Sequence, residues 1–172
     1  LGYYSILSDL GYFSDEELFS YGHNLTKLPG HPVRNKSMGI EFTNGSLGMG
    51  LAVAIGHSIA AKRRNLNYHT YVLMGDGECN EGSVWEAAMS AAHFKLDNLV
   101  AILDYNKLQS DGRSEDIMDI GNLYQKSLEI LQNENFDFLK LNFSEFFGDN
   151  GTQWSWYNVP QVVREKYWPG KN

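Results

Sequence analysis

The run Gly75-Asp76-Gly77-Glu78 sets a carboxylate between two glycines. Glycines let backbone amides approach an anion closely, and a carboxylate beside them can hold a hard cation against that anion. Asn106 follows 30 residues after Asp76, the span that a strand, a crossover helix and the next strand would bridge between adjacent loops. Its amide oxygen would then reach the same point as a second hard ligand. Magnesium on a diphosphate is the chemistry that suits this pair. Taken alone, Gly-Asp-Gly also reads as a tight β-turn; the asparagine at the end of the following strand is what favours a metal.

The flanking segments have the right character to position such a pair. Tyr68 to Met74 and Leu99 to Leu103 are short apolar runs with the length and residue types of buried parallel strands, and a helix is expected from Gly82 to His93 between them. This βαβ order predicts an α/β fold, a mostly parallel sheet with helices on both faces, with its site at the carboxyl ends of the strands, marked by Met74 and Leu103. Upstream, Pro29-Gly30-His31-Pro32 and Asn44 to Gly50 form a Gly- and Pro-rich loop that feeds a helix from about Gly48 to Arg63. Ala52, Ile55, Gly56, Ile59 and Ala60 are its expected close-packing positions. Its basic end, Lys62-Arg63-Arg64, suits the helix dipole and reads as solvated. Before the loop, Tyr4, Leu7 and Leu10 recur at helical spacing, Gly11 marks a turn, and Ser14 caps a short helix carrying Asp15 and Glu16 in its first turn. Beyond Gly121 the character changes. Phe136 to Phe143 alternates like a half-buried strand, and Trp154, Trp156 and Trp168 crowd the tail.

The chain has 172 residues, 42% hydrophobic and 20% charged, enough for one domain with a core. No apolar window approaches the roughly 18 residues that a membrane span needs. The net charge of −7 argues against a nucleic-acid partner. Cys79 is the single cysteine, so no internal disulfide forms, and no secretory leader is visible. These features predict a cytoplasmic protein with neither a membrane nor a nucleic acid as partner.

GDGECNEGSVWEAA (Gly75 to Ala88) followed by KLDNLVAILDYNKLQSDG (Lys95 to Gly112) resembles the thiamine diphosphate signature of transketolases. PGHP at Pro29 to Pro32 and GSLGMG at Gly45 to Gly50 resemble two further segments of that family. The resemblance implies the thiamine diphosphate-binding fold, in its diphosphate domain. It implies that Asp76, the Asn106 side-chain oxygen and the Leu108 carbonyl coordinate Mg2+, with Ca2+ or Mn2+ as substitutes. It makes Gly75, Gly77, Gly45 and Leu47 cofactor contacts, Gly77 through its amide. His31 becomes the histidine beside the reacting ring, placed to hydrogen-bond a sugar oxygen; His23, His57, His69 and His93 gain no such support. Glu81 aligns with an acidic residue that lies at the family's dimer interface and communicates with the glutamate activating the cofactor. Ser46 and Met49 depart from the family's usual proline and glutamine while leaving the glycine pattern intact.

The likeness covers residues 1–126 and stops there, so 127–172 are expected to form a diverged segment packed on the same domain. A histidine upstream, another downstream and the whole pyrimidine domain with its activating glutamate are not in this sequence. The chain is therefore expected to be one subunit of a split transketolase, inactive alone, moving a two-carbon ketol unit between sugar phosphates once a pyrimidine-domain partner completes a homo- or hetero-oligomer. Two alternatives stand beside it. One is a truncated, non-catalytic homologue acting as a binding or regulatory module; the other is a different thiamine diphosphate enzyme, such as a deoxyxylulose phosphate synthase or a ketoacid dehydrogenase subunit.

Overall fold

A computed structural model describes residues 1–122 and the backbone of residues 137–141, in two units, Leu1–Met49 and Gly50–Asn172. In the first, helix α1 (Gly2–Asp9) buries Tyr4 and Leu7, three residues apart on one face. Helix α2 (Asp15–Phe19) begins at Ser14, whose hydroxyl accepts the Glu17 N–H as the sequence predicts. Tyr4, Leu7, Leu28, Met38 and Ile40 form the core of this unit, with Phe13, Leu18 and Tyr21 packed around it. The Gly- and Pro-rich loop holds its course through hydrogen bonds and has only one 3-10 turn, Lys36–Met38. The Tyr4 hydroxyl donates to the Pro29 carbonyl at 2.6 Å, the Asn44 N–H donates to Pro32 O, and Asn35 and Ile40 form an antiparallel bridge.

The second unit opens with α3 (Gly50–Arg63) and runs through β1 (Thr70–Gly75), α4 (Gly82–His93) and β2 (Leu99–Asp104). The helix between the strands has the bounds expected from sequence, and β1 and β2 are parallel with Thr70 opposite Leu99 and Gly75 opposite Asp104. Each strand runs one residue beyond the expected end, so Gly75 and Asp104, not Met74 and Leu103, mark the carboxyl edge. A short hairpin follows, β3 (Leu108–Gln109) and β4 (Gly112–Arg113), then the short helix α5 (Ser114–Met118). Strand β5 (Asp137–Leu141) lies parallel to β2 where an alternating strand was expected, giving the order β1-β2-β5. The tryptophan-rich tail lies outside the described residues.

Two packing expectations need correction. Helix α3 buries Leu51, Ala54, Ile55, Ser58 and Ala61, whereas Ala52 and Gly56 are exposed. Almost the whole helix is small or apolar, so composition does not distinguish its faces; the buried set is the i, i+3, i+4, i+7 stripe that meets the sheet. Small residues on both helices, Ala54 and Ser58 on α3 and Ala87, Ala88 and Ala91 on α4, allow the two to pack together over β1 and β2. Strand β2, central among the described strands, is buried on both faces at Leu99, Val100, Ala101 and Leu103. Strand β1 is not: Val72 and Met74 face the core, while Tyr71 and Leu73 are 40% and 60% exposed. An apolar run alone does not reveal whether a strand has a layer on one face or two.

Candidate cation and diphosphate site

The sheet carries its chemistry at one corner. The Asp76 N–H donates to the Asp104 carbonyl at 3.1 Å, extending the β1–β2 ladder one residue past β1. Asp76 is 2% exposed, and each of its carboxylate oxygens has a donor: the Gly77 N–H on Oδ1 at 3.0 Å and the Ser114 hydroxyl on Oδ2 at 2.9 Å. Buried carboxylates need such donors to remain ionised. Two residues past β2, Asn106 is fixed at both ends of its amide. Nδ2 donates to Asp104 Oδ2 at 2.9 Å, and Oδ1 accepts the Leu108 N–H at 2.8 Å. Lys107 between them adopts a left-handed φ of 62°, and its carbonyl accepts the Ser114 N–H at 3.0 Å. A circuit of hydrogen bonds thus joins Asp76 to the loop of Asn106 and Leu108.

The donor set suits a hard cation held with an anion. Among the described residues no group of three His, Cys, Asp or Glu gathers to hold a metal, so any cation here relies on Asp76 together with neutral amide and carbonyl oxygens. Such a site leaves charge and coordination positions for a phosphate ligand, as magnesium sites commonly do. Two buried polar atoms at this corner have no hydrogen-bond partner, Asp104 Oδ1 and Gln109 Nε2. One is an acceptor fit for a cation or its water, and the other a donor fit for a phosphate oxygen. Burial raises the Asp104 carboxyl above the usual carboxylate range; the hydrogen bond from Asn106 lowers it and the nearby Asp76 charge raises it further. A cation between two carboxylates drawn together in this way would relieve their repulsion. Gly77 has the space a backbone–anion contact requires only because it lacks a side chain, since a Cβ there would lie 2.7 Å from Gln109 Cγ.

Gly75, Asp76, Gly77, Asn106 and Leu108 therefore meet at the carboxyl ends of β1 and β2. Glu81 stands apart from them at the start of α4, exposed and without a side-chain capping bond. His31, Gly45 and Leu47 belong to the first unit. There His31 is exposed, and Gly45, with φ of 142°, lies so close beneath its ring that a Cβ would fall 2.6 Å from His31 Cγ. The Gly45 N–H donates to Asn44 Oδ1, and Leu47 is 58% exposed. Cys79, by contrast, is buried structure; desolvation, then the charges of Glu78 and Asp76, push its thiol up to about 12.

Three residues at this corner escape sequence reasoning: Asp104, Gln109 and Ser114. Asp104 had a signal, a carboxylate closing the apolar run Leu99 to Leu103 two positions before Asn106. Ser114 had only the turn residues Ser110-Asp111-Gly112, which hint at a reversal but not at where it delivers the chain.

Comparison with known proteins gives the following. The family model described as transketolase, thiamine diphosphate binding domain, matches residues 1–126. One of the two subunits of an apulose-4-phosphate transketolase from Actinobacillus succinogenes is 52% identical over 117 residues, which cover 68% of this chain and 42% of the relative. A 6-deoxy-6-sulfo-D-fructose transketolase subunit from a Clostridium species is 41% identical over 123 residues, covering 72% of this chain and 45% of the relative. The transketolase of Leishmania mexicana superposes with a TM-score of 0.66 at 26% identity, over 80% of this chain and 26% of that structure. The chain thus spans less than half the length of these curated relatives. Among the described residues, no helix is long and apolar enough to cross a membrane.

Proposed function

Because the chain belongs to the transketolase family, through its thiamine diphosphate binding domain, we propose that it is the diphosphate-binding part of a split, cytoplasmic transketolase whose pyrimidine domain comes from a partner subunit. The observation that carries this reading is the joining of Asp76 to the Asn106–Leu108 loop at the carboxyl ends of neighbouring parallel strands. Relatives named as subunits of transketolases support the need for a partner.

In this reading Asp76, the Asn106 amide oxygen and the Leu108 carbonyl hold magnesium, and Gly75, Gly77 and Gln109 present backbone and amide donors to the diphosphate. Gly45 and Leu47 serve the cofactor from the first unit, and Glu81 acts at the subunit interface. His31 hydrogen-bonds a sugar hydroxyl or carbonyl oxygen, holding the substrate in register and stabilising charge as it develops on that oxygen. Thiamine diphosphate, when bound, supplies the electron sink that lets a two-carbon ketol unit leave a ketose and pass to an aldose. Sugar phosphates are the proposed substrates, in keeping with the sugar phosphate in the name of one relative. Residues 127–172 are proposed to pack on this same domain, and the pairing of β5 with β2 supports that.

The test is calorimetric titration of thiamine diphosphate with and without magnesium, alone and with a co-expressed pyrimidine-domain chain, against an Asp76→Ala, Asn106→Ala double variant. Magnesium-dependent binding that the double variant loses is the expected result. Folded protein that binds no cofactor even with the partner would point instead to a non-catalytic homologue. Ketol transfer by this chain in isolation would overturn the division between subunits.

A further inference from the structure

We propose that Ser114 is a positioning residue, the node that ties the Asp76 carboxylate to the loop bearing Asn106 and Leu108. The inference rests on the proposed cation site and adds to it a residue that ligates nothing. Ser114 is 9% exposed and uses both of its donors on that site. Its hydroxyl donates to Asp76 Oδ2 at 2.9 Å, and its N–H donates to the Lys107 carbonyl at 3.0 Å. One residue therefore grips the ligand that ends β1 and the loop that follows β2.

The geometry gives each bond a purpose. A carboxylate oxygen has two acceptor directions. With one donor on each oxygen of Asp76, from Gly77 and Ser114, the group is fixed in rotation and still has a free direction on each oxygen for a cation. The loop needs a hold of its own, because Lys107 sits in the left-handed region, which costs a residue with a Cβ and persists only where neighbours enforce it. The two-residue turn of the β3–β4 hairpin, with Gln109 opposite Gly112, returns the chain so that Ser114 arrives at the carbonyl of that strained residue. Partners that orient a metal ligand typically control metal affinity by about 10–100-fold.

The experiment measures the magnesium concentration that half-supports thiamine diphosphate binding, by calorimetry on the whole 172-residue chain together with the pyrimidine-domain partner. Metal-free melting of each variant is followed by circular dichroism. Ser114→Ala is expected to raise the magnesium midpoint by about 10–100-fold, while Ser114→Thr, which keeps the hydroxyl, restores the parent value and Asp76→Ala abolishes magnesium dependence. An unshifted midpoint in Ser114→Ala, with Asp76→Ala still inactive in binding, would overturn the role of Ser114 and leave the proposed function standing. A threonine variant as weak as the alanine variant would also overturn it. If the parent shows no magnesium-dependent binding, both readings fall. Should Ser114→Ala not fold, Ser114→Cys, nearly isosteric and a weak donor, takes its place with the same direction expected, and an unshifted midpoint there sinks the proposal.

Discussion

The amide of Asn106 is orientated by Asp104: its nitrogen lies 2.9 Å from Asp104 Oδ2, which turns its oxygen toward the loop and the Leu108 N–H. A carboxylate two residues upstream thereby decides which end of the amide faces a cation. The other oxygen of Asp104 is buried without a partner, near the like charge of Asp76.

Replacing Asp104 by alanine therefore has two opposite effects. Losing the orienting acceptor is expected to raise the magnesium midpoint for thiamine diphosphate binding by about 10–100-fold. Losing a poorly satisfied carboxylate beside another leaves the metal-free protein melting no lower than the parent. Calorimetry and a metal-free thermal melt on the same variant check both; a lower melting point with unchanged magnesium dependence would assign Asp104 to the fold alone.

Gly45→Ala tests the packing under His31. The added Cβ meets the imidazole at 2.6 Å and sits on a backbone with φ of 142°, so the variant is expected to lose roughly 1–3 kcal/mol of stability. The His31 ring resonances should shift with it. Denaturant unfolding followed by proton–carbon NMR of the histidines reads both, and an unmoved His31 would mean that the loop adjusts elsewhere.

Gly56→Ala should behave in the opposite way. Gly56 lies inside α3, is exposed, and a Cβ there meets nothing within 4 Å. The substitution lowers the entropy of the unfolded chain without a clash, for an expected gain of about 0.5–1 kcal/mol. A rise in melting temperature, with cofactor binding unchanged, is the outcome to look for; a fall would show that the position packs against something.

Cys79 offers a probe of the whole second unit. At 1% exposure, with its thiol pushed up to about 12 by burial and the charges of Glu78 and Asp76, it holds its proton throughout the neutral range. Labelling by a thiol reagent at pH 8 should proceed at the rate of opening of the fold and slow further when magnesium and thiamine diphosphate are added. Fast labelling of the folded protein would show that the turn after β1 opens independently.

Much of this molecule was legible in residue order because local chemistry enforces it. Ser14 caps α2 because its hydroxyl satisfies a free amide, and α4 fills the interval between two apolar runs because each run ends at a break in pattern. The Asp76–Asn106 pairing was legible for the same reason: a crossover unit returns its second strand beside its first, so residues just past the two strands must converge. Family resemblance supplied what spacing could not, the roles expected of His31, Glu81 and the Leu108 carbonyl.

Tertiary structure decided the rest, because it depends on surfaces that meet only after folding. The buried stripe of α3 could not be chosen within a helix that is small and apolar nearly all round, and the half-exposure of β1 depends on what lies over each face of the sheet. Gly77 is required by the side chain of Gln109, 32 residues later, and Ser114 reaches Asp76 across 38 residues through a hairpin and a left-handed loop. The sequence by itself determined which groups could bind a cation and at which end of the sheet they would stand. Which neighbours hold those groups still was settled by packing, since a hydrogen bond between distant residues leaves no periodic trace in the chain that forms it.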